Sequence, residues 1–144
     1  ALRQTARKMG LELVEVNVAG THEVRPAIAS LVGQVQAVYL PADNTVGAEF
    51  EAISQVSGQN RLAFFSGDAT SVMRGGLAAF GIDYFLVGYA AGKKAAQVLK
   101  GAPPGTLPWE LAGDFSLIIN QKAAKNLGVV IPAEMLRIAD RVIE

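Results

Sequence analysis

The chain has 144 residues, 51% of them hydrophobic and 18% charged, with thirteen basic against thirteen acidic side chains. That length fits one domain with a sizeable core, and the composition is that of a folded rather than a disordered chain. Zero net charge argues against a nucleic-acid surface, no apolar run nears the ~20 residues of a membrane span, and the lack of cysteine excludes disulfides and thiolate metal sites.

Leu2 to Met9 reads as the second half of a helix, uncapped at its start and stopped by Gly10. With Ala1 in front of it, the expectation is a fragment or mature product whose preceding segments are absent. Residues 11–18, Leu-Glu-Leu-Val-Glu-Val-Asn-Val, nearly alternate in polarity, the pattern of a half-exposed strand toward a sheet edge. Thr21 is placed to cap a helix in which Val24, Ile28, Leu31 and Val32 recur at helical spacing.

A strand through Leu40 comes next, then a helix with Val46, Phe50, Ile53 and Val56 on one face. Gln59-Asn60 turns into a strand ending at Ser66, a helical turn spans Thr70 to Arg74, and Gly75-Gly76 precedes a further strand. Tyr84 to Lys100 predicts a long alanine-rich helix closed by Gly101. Pro103 to Pro108 predicts a crossover linker, because paired prolines are extended and cannot continue a helix. Phe115 to Ile119 is a strand and Asn120 is placed to cap a short helix. Pro132 opens a final helix carrying Met135, Leu136, Ala139, Val142 and Ile143. Strands alternating with helices predict an α/β domain, a mainly parallel sheet with helices on both faces.

Three of the predicted strands end in small polar clusters: Pro41-Ala42-Asp43-Asn44, Ser66-Gly67-Asp68 and Gly81-Ile82-Asp83-Tyr84. Ligands bind outside the carboxyl ends of parallel strands, where helix N-termini and loop backbone converge. Asp43 and Asn44 are also ordinary helix caps, which explains their type without any ligand. Recurrence at corresponding tips favours binding. Carboxylates and amides there suit a ligand ammonium, free helix N–H groups suit a ligand carboxylate, and Tyr84 offers a face for stacking. Gly67 lets backbone approach closely. The candidate ligand-binding residues are therefore Asp43, Asn44, Ser66, Gly67, Asp68, Asp83 and Tyr84.

Catalytic signals are weak. The single histidine, His22, falls in the first turn of a helix and reads as a surface residue without triad or metal partner. Neither a nucleophile elbow nor a phosphate-binding loop with lysine occurs. Gly88-Tyr89-Ala90-Ala91-Gly92 lies within a helical pattern and reads as close helix packing through small residues. Trp109 reads as an anchor of the crossover against the core, and Tyr39 as core.

Residues 38–46, Val-Tyr-Leu-Pro-Ala-Asp-Asn-Thr-Val, resemble a signature of ABC-transporter substrate-binding proteins that include tryptophan- and tyrosine-type amino-acid binders. Similar patterns run through Phe65 to Asp68, Val72 to Tyr84, Gly88 to Gly101 with Pro104, and Leu117 to Pro132. The similarity covers essentially the whole chain. Gly67 stands where members often carry a larger residue, and Phe85 follows Tyr84 where a second Tyr is frequent.

The resemblance implies a type I periplasmic-binding-protein fold, two lobes closing on a ligand without catalysis, cofactor or metal. Residues 1–83 would be the second lobe lacking its first strand. Residues 84–113 would be a helix and crossover packing on the absent first lobe, and residues 114–144 the return strand and C-terminal helices. The implied ligand is an aromatic or hydrophobic amino acid, the partner an ABC transporter permease, and the location periplasmic or extracellular. Cut off from its first lobe, the chain is expected to self-associate, as a dimer through the exposed helix. An effector-binding domain of a transcription regulator shares the fold and stays open as an alternative, as does a small α/β enzyme.

Overall fold

The computed structural model describes residues 2–110 and 115–144. Short runs rich in alanine, β-branched and aromatic residues form five strands: Ala37–Leu40 (β1), Ala63–Asp68 (β2), Ala78–Ile82 (β3), Phe115–Asn120 (β4) and Arg141–Ile143 (β5). They lie side by side in chain order. β1, β2 and β3 are parallel, β4 runs antiparallel to β3, and β5 is parallel to β4. The helices are Leu2–Lys8 (α1), Thr21–Leu31 (α2), Asn44–Ala48 (α3), Phe50–Gln59 (α4), Thr70–Met73 (α5), Tyr84–Leu99 (α6), Gln121–Leu127 (α7) and Ala133–Ile138 (α8).

The period-two alternation of the strands selects two faces. Val38 and Leu40 stand beside Phe64 and Ser66 in register. Val38, Leu40 and Phe64 pack against Val24, Ile28 and Leu31 of α2 and Phe50, Ile53 and Val56 of α4. Phe64 and Ile53 are almost wholly buried, each contributing about 1.5–3 kcal/mol. Ala63, on the opposite alternation, packs with Ala124 of α7. Val72 of α5 fills the space beside Ala79 and Ile118. Helices therefore cover both faces, and every βα connection from β1 to β3 emerges at the same edge of the sheet.

Several expectations are corrected by the tertiary structure. Residues 11–18 form no strand, and Leu11, Leu13, Val14 and Val16 are exposed. Alternation sets only which way side chains point; among the described residues the outer edge of β1 stays unpaired, and this segment does not join it. Thr21 lies inside α2 rather than capping it: Gly20 holds the cap position, and Glu23 accepts the Ala19 N–H at 2.7 Å. The helix expected from Val46 to Val56 is two helices, broken at Glu49.

Tyr39 is half exposed rather than core. The same face of the sheet also leaves Phe65, Phe80 and Phe115 accessible, with Phe80 and Phe115 stacked at 5.4 Å. Among the described residues a Cβ at Gly88 or Gly92 would meet nothing within 4 Å, and α6 buries no residue. Among the described residues Trp109 is fully exposed and anchors nothing; instead Lys94 holds the crossover, donating to the Pro108 carbonyl at 2.5 Å and pairing with Glu110 at 3.3 Å. The end of that crossover, residues 111–113, and residue 114 lie outside the described residues. The last helix stops at Ile138, and Val142 and Ile143 belong to β5, beside Ile119 and Asn120. Asp140 fastens that turn, its N–H donating to Leu117 O and its Oδ2 accepting from Leu117 N at 2.8 Å. β4 thus offers β-branched residues a parallel ladder that outweighs their helical spacing.

Candidate functional site

The tips of β1, β2 and β3 carry Asp43, Asp68 and Asp83 at one edge of the sheet. Each uses Oδ1 to organise the backbone that follows. Asp43 accepts from Thr45 N at 2.8 Å and Val46 N at 3.0 Å, capping α3. Asp68 accepts from Thr70 N at 2.8 Å, forming an Asx turn ahead of α5. Asp83 accepts from Phe85 N at 2.8 Å and Leu86 N at 3.4 Å, capping α6. Among the described residues none of the three Oδ2 atoms has a hydrogen-bond partner, and none of these carboxylates is in an ion pair. A carboxylate oxygen left open to solvent can accept from a ligand cation.

Asp43, Asn44, Asp68 and Tyr84 line one open depression of about 320 Å³. Three expected site residues stand apart from its wall. Ser66 is buried, and its Oγ accepts the Asp68 N–H at 3.0 Å. Gly67 lies beneath Tyr39 and Ala42: a Cβ there would come within 3.2 Å of the Tyr39 hydroxyl and 3.4 Å of Ala42 N. Asp83 is spent on the α6 cap, beside Tyr84.

The depression also contains Thr70, Phe50 and Arg74, which the strand-tip pattern did not single out. Arg74 comes from the end of α5, one turn beyond the Asp68 tip, and the signal for it was an arginine directly before Gly75-Gly76. Its guanidinium brings a cation to a wall otherwise bearing Asp43 and Asp68. The helix N–H groups expected to receive a ligand carboxylate are already taken at α3 and α6 by Asp43 and Asp83. The depression therefore offers acceptors for an ammonium, a donor fork for a carboxylate, and an aromatic ring. His22 is exposed on α2, 3.8 Å from Glu23. Among the described residues no group of three or more metal-ligating side chains is positioned to hold a metal ion, and no helix is long and apolar enough to cross a membrane.

Comparison with known proteins places this architecture. The chain is 35% identical over 127 residues to a tyrosine-binding protein of Clostridioides difficile, an alignment covering 88% of this chain and 37% of that protein. Its fold superposes with a TM-score of 0.83 on an ABC domain from Streptococcus pneumoniae in complex with L-Trp, at 32% identity over 97% of this chain and 48% of that one. A conserved domain protein from Vibrio cholerae matches with a TM-score of 0.82 at 30% identity, over 98% of this chain and 48% of that one. The chain thus spans less than half the length of these relatives. The lobe is of the type I periplasmic-binding kind expected from the sequence motifs. A family model described as ABC transporter substrate binding protein matches residues 1–143, and the chain belongs to that family.

Proposed function

We propose that this chain is the second lobe of a solute-binding component of an ABC importer and that it binds an amino acid with an aromatic or hydrophobic side chain, without catalysis. The observation that carries the reading is the convergence of Asp43, Asn44, Asp68, Arg74 and Tyr84 on one depression at the carboxyl edge of the parallel strands. Asp43, Asn44 and Asp68 receive the ligand ammonium, Arg74 faces its carboxylate, and Tyr84 stacks on its side chain. Asp83 sets the start of α6 and hence the place of Tyr84, while Ser66 and Gly67 shape the tip of β2. The tyrosine-binding relative and the L-Trp complex support this ligand class.

In this reading residues 84–113 pack on a first lobe, the ligand is enclosed between the two, the protein works outside the cytoplasmic membrane, and a permease receives the ligand. The lone lobe self-associates through the α6 surface. The test is calorimetric titration of L-tyrosine, L-tryptophan and L-leucine into the full-length protein, with the recovered ligand checked by mass spectrometry. Stoichiometric binding and unaltered ligand are expected; no binding of any amino acid overturns the reading.

A further inference from the structure

The β2 tip is more tightly built than a cap requires. Between Ser66 and Asp68 the pairing of β2 with β3 slips, so that two steps along β2 match three along β3, from Ala79 to Ile82. Within this irregularity every backbone polar group of Asp68 outside the ladder meets a buried hydroxyl. Its N–H donates to Ser66 Oγ at 3.0 Å, and its carbonyl accepts from Ser71 Oγ at 2.7 Å. Ser66 is 2% exposed and Ser71 is fully buried. The carboxylate in turn holds Thr70 N with Oδ1. Three separate bonds thus fix the position of one half-buried acid, which lines the depression. A third buried serine makes the contrast: Ser57 Oγ, equally inaccessible, has no partner among the described residues.

We propose that Ser66 and Ser71 are positioning residues that clamp the Asp68 backbone and so hold Oδ2 of Asp68 toward a ligand ammonium. Ser66 is then a residue of the site without touching the ligand, and Ser71, on α5, ties the same tip to the element that carries Arg74. The proposal deepens the amino-acid reading above and rests on it. Buried hydroxyls suit this task because their bonds are worth most where water cannot compete. Fixing an acceptor before the ligand arrives spares binding the cost of ordering it.

The test compares L-tyrosine with its desamino analogue, 3-(4-hydroxyphenyl)propionate, on the full-length protein. The wild type is expected to prefer L-tyrosine, and Asp68→Asn to lose about ten- to a hundredfold of that preference, the worth of a charge-assisted hydrogen bond. Ser66→Ala and Ser71→Ala are expected to lower the preference by about tenfold, and neither should lower it further in the Asp68→Asn background. Ser57→Ala, the matched deletion of a buried hydroxyl, should leave it unchanged. A wild-type preference in both Ser66→Ala and Ser71→Ala overturns the positioning role while leaving the ligand class standing. Failure of the wild type to bind L-tyrosine or L-tryptophan overturns both. Amide exchange on the unmutated protein gives an answer that needs no variant to fold: the Asp68 N–H is expected to be protected, and exchange at the free-peptide rate overturns the clamp.

Discussion

Gly81 of β3 faces the carbonyl of Gly67 in β2 so closely that a single methyl group at position 81 would overlap the Gly67 oxygen. The contact lies within the register slip between the two strands, directly beneath the Asp68 tip. Gly81→Ala must therefore push backbone against backbone, with no flexible side chain to yield. The expected cost is about 1–3 kcal/mol, the range for overpacking a tight site, read as a lower denaturation midpoint in urea. Because the displaced segment carries Asp68, ligand affinity should fall together with stability.

Asp43→Ala separates a cap from a ligand contact. Loss of the α3 cap costs about 1 kcal/mol of stability. A charge-assisted bond to a ligand contributes roughly 1.5–3 kcal/mol of affinity. The expected outcome is a loss of binding larger than the loss of stability, measured by calorimetry beside thermal unfolding. Unchanged affinity with a lowered melting temperature would leave Asp43 as a cap alone.

Arg74 is exposed at the rim and closes α5 through its backbone N–H alone, so replacing its side chain should barely touch the fold. Arg74→Gln is expected to weaken an amino acid more than the corresponding amino-acid amide, which lacks the carboxylate. Equal weakening of both would show that the guanidinium only tunes the surface potential.

Arg3 and Glu15 form a two-pronged pair, with Arg3 Nε at 2.5 Å from Oε1 and Nη2 at 2.6 Å from Oε2, tying α1 to the unpaired segment 11–18. The hydrogen bond from Arg3 holds the Glu15 carboxyl below its ordinary value, and the same bond raises the Arg3 guanidinium. A carboxyl lowered by folding contributes stability above its unfolded pKa and loses it as pH falls through the lowered value. The raised Arg3 contribution is present below the ordinary arginine pKa and is lost only at extreme alkaline pH. Acidification should thus release residues 11–18 before the sheet unfolds, seen as faster amide exchange there. Both groups are at the surface, so added salt should weaken the tie at neutral pH.

The exposed surface of α6 makes a prediction about association. Tyr84, Phe85, Tyr89 and Leu99 are all more than half exposed along its length, and Leu86 is 37% exposed. Exposed apolar area of this kind usually finds a partner. Light scattering on the isolated 144-residue chain is expected to give a dimer, and replacing Phe85 and Leu99 with serine to restore the monomer. A monodisperse wild-type monomer at high concentration would remove the association.

Local chemistry was legible in the sequence because it is decided within a few residues. An apolar run closed by a polar residue and followed by helical spacing was enough to locate β1, β2 and β3, their polar tips, and the caps at Asp43 and Asn120, whereas the cap at Asp83 came from the structure. The family motifs around Asp43-Asn44 and Gly67-Asp68 carried the same reading to its relatives. What alternation could not decide was pairing. Residues 11–18 have the polarity of a strand yet leave the outer edge of β1 unpaired among the described residues, whereas Val142 and Ile143 were spaced for a helix yet found the open edge of β4. Hydrogen-bond partners of a strand lie on another part of the chain, so only the assembled sheet chooses between these outcomes. The site divided in the same way. The acids could be named from their positions at strand ends, but Arg74 joined them only because α5 folds back over the β2 tip. Ser66 stands apart from the wall because its side chain is buried, with its hydroxyl on the Asp68 amide.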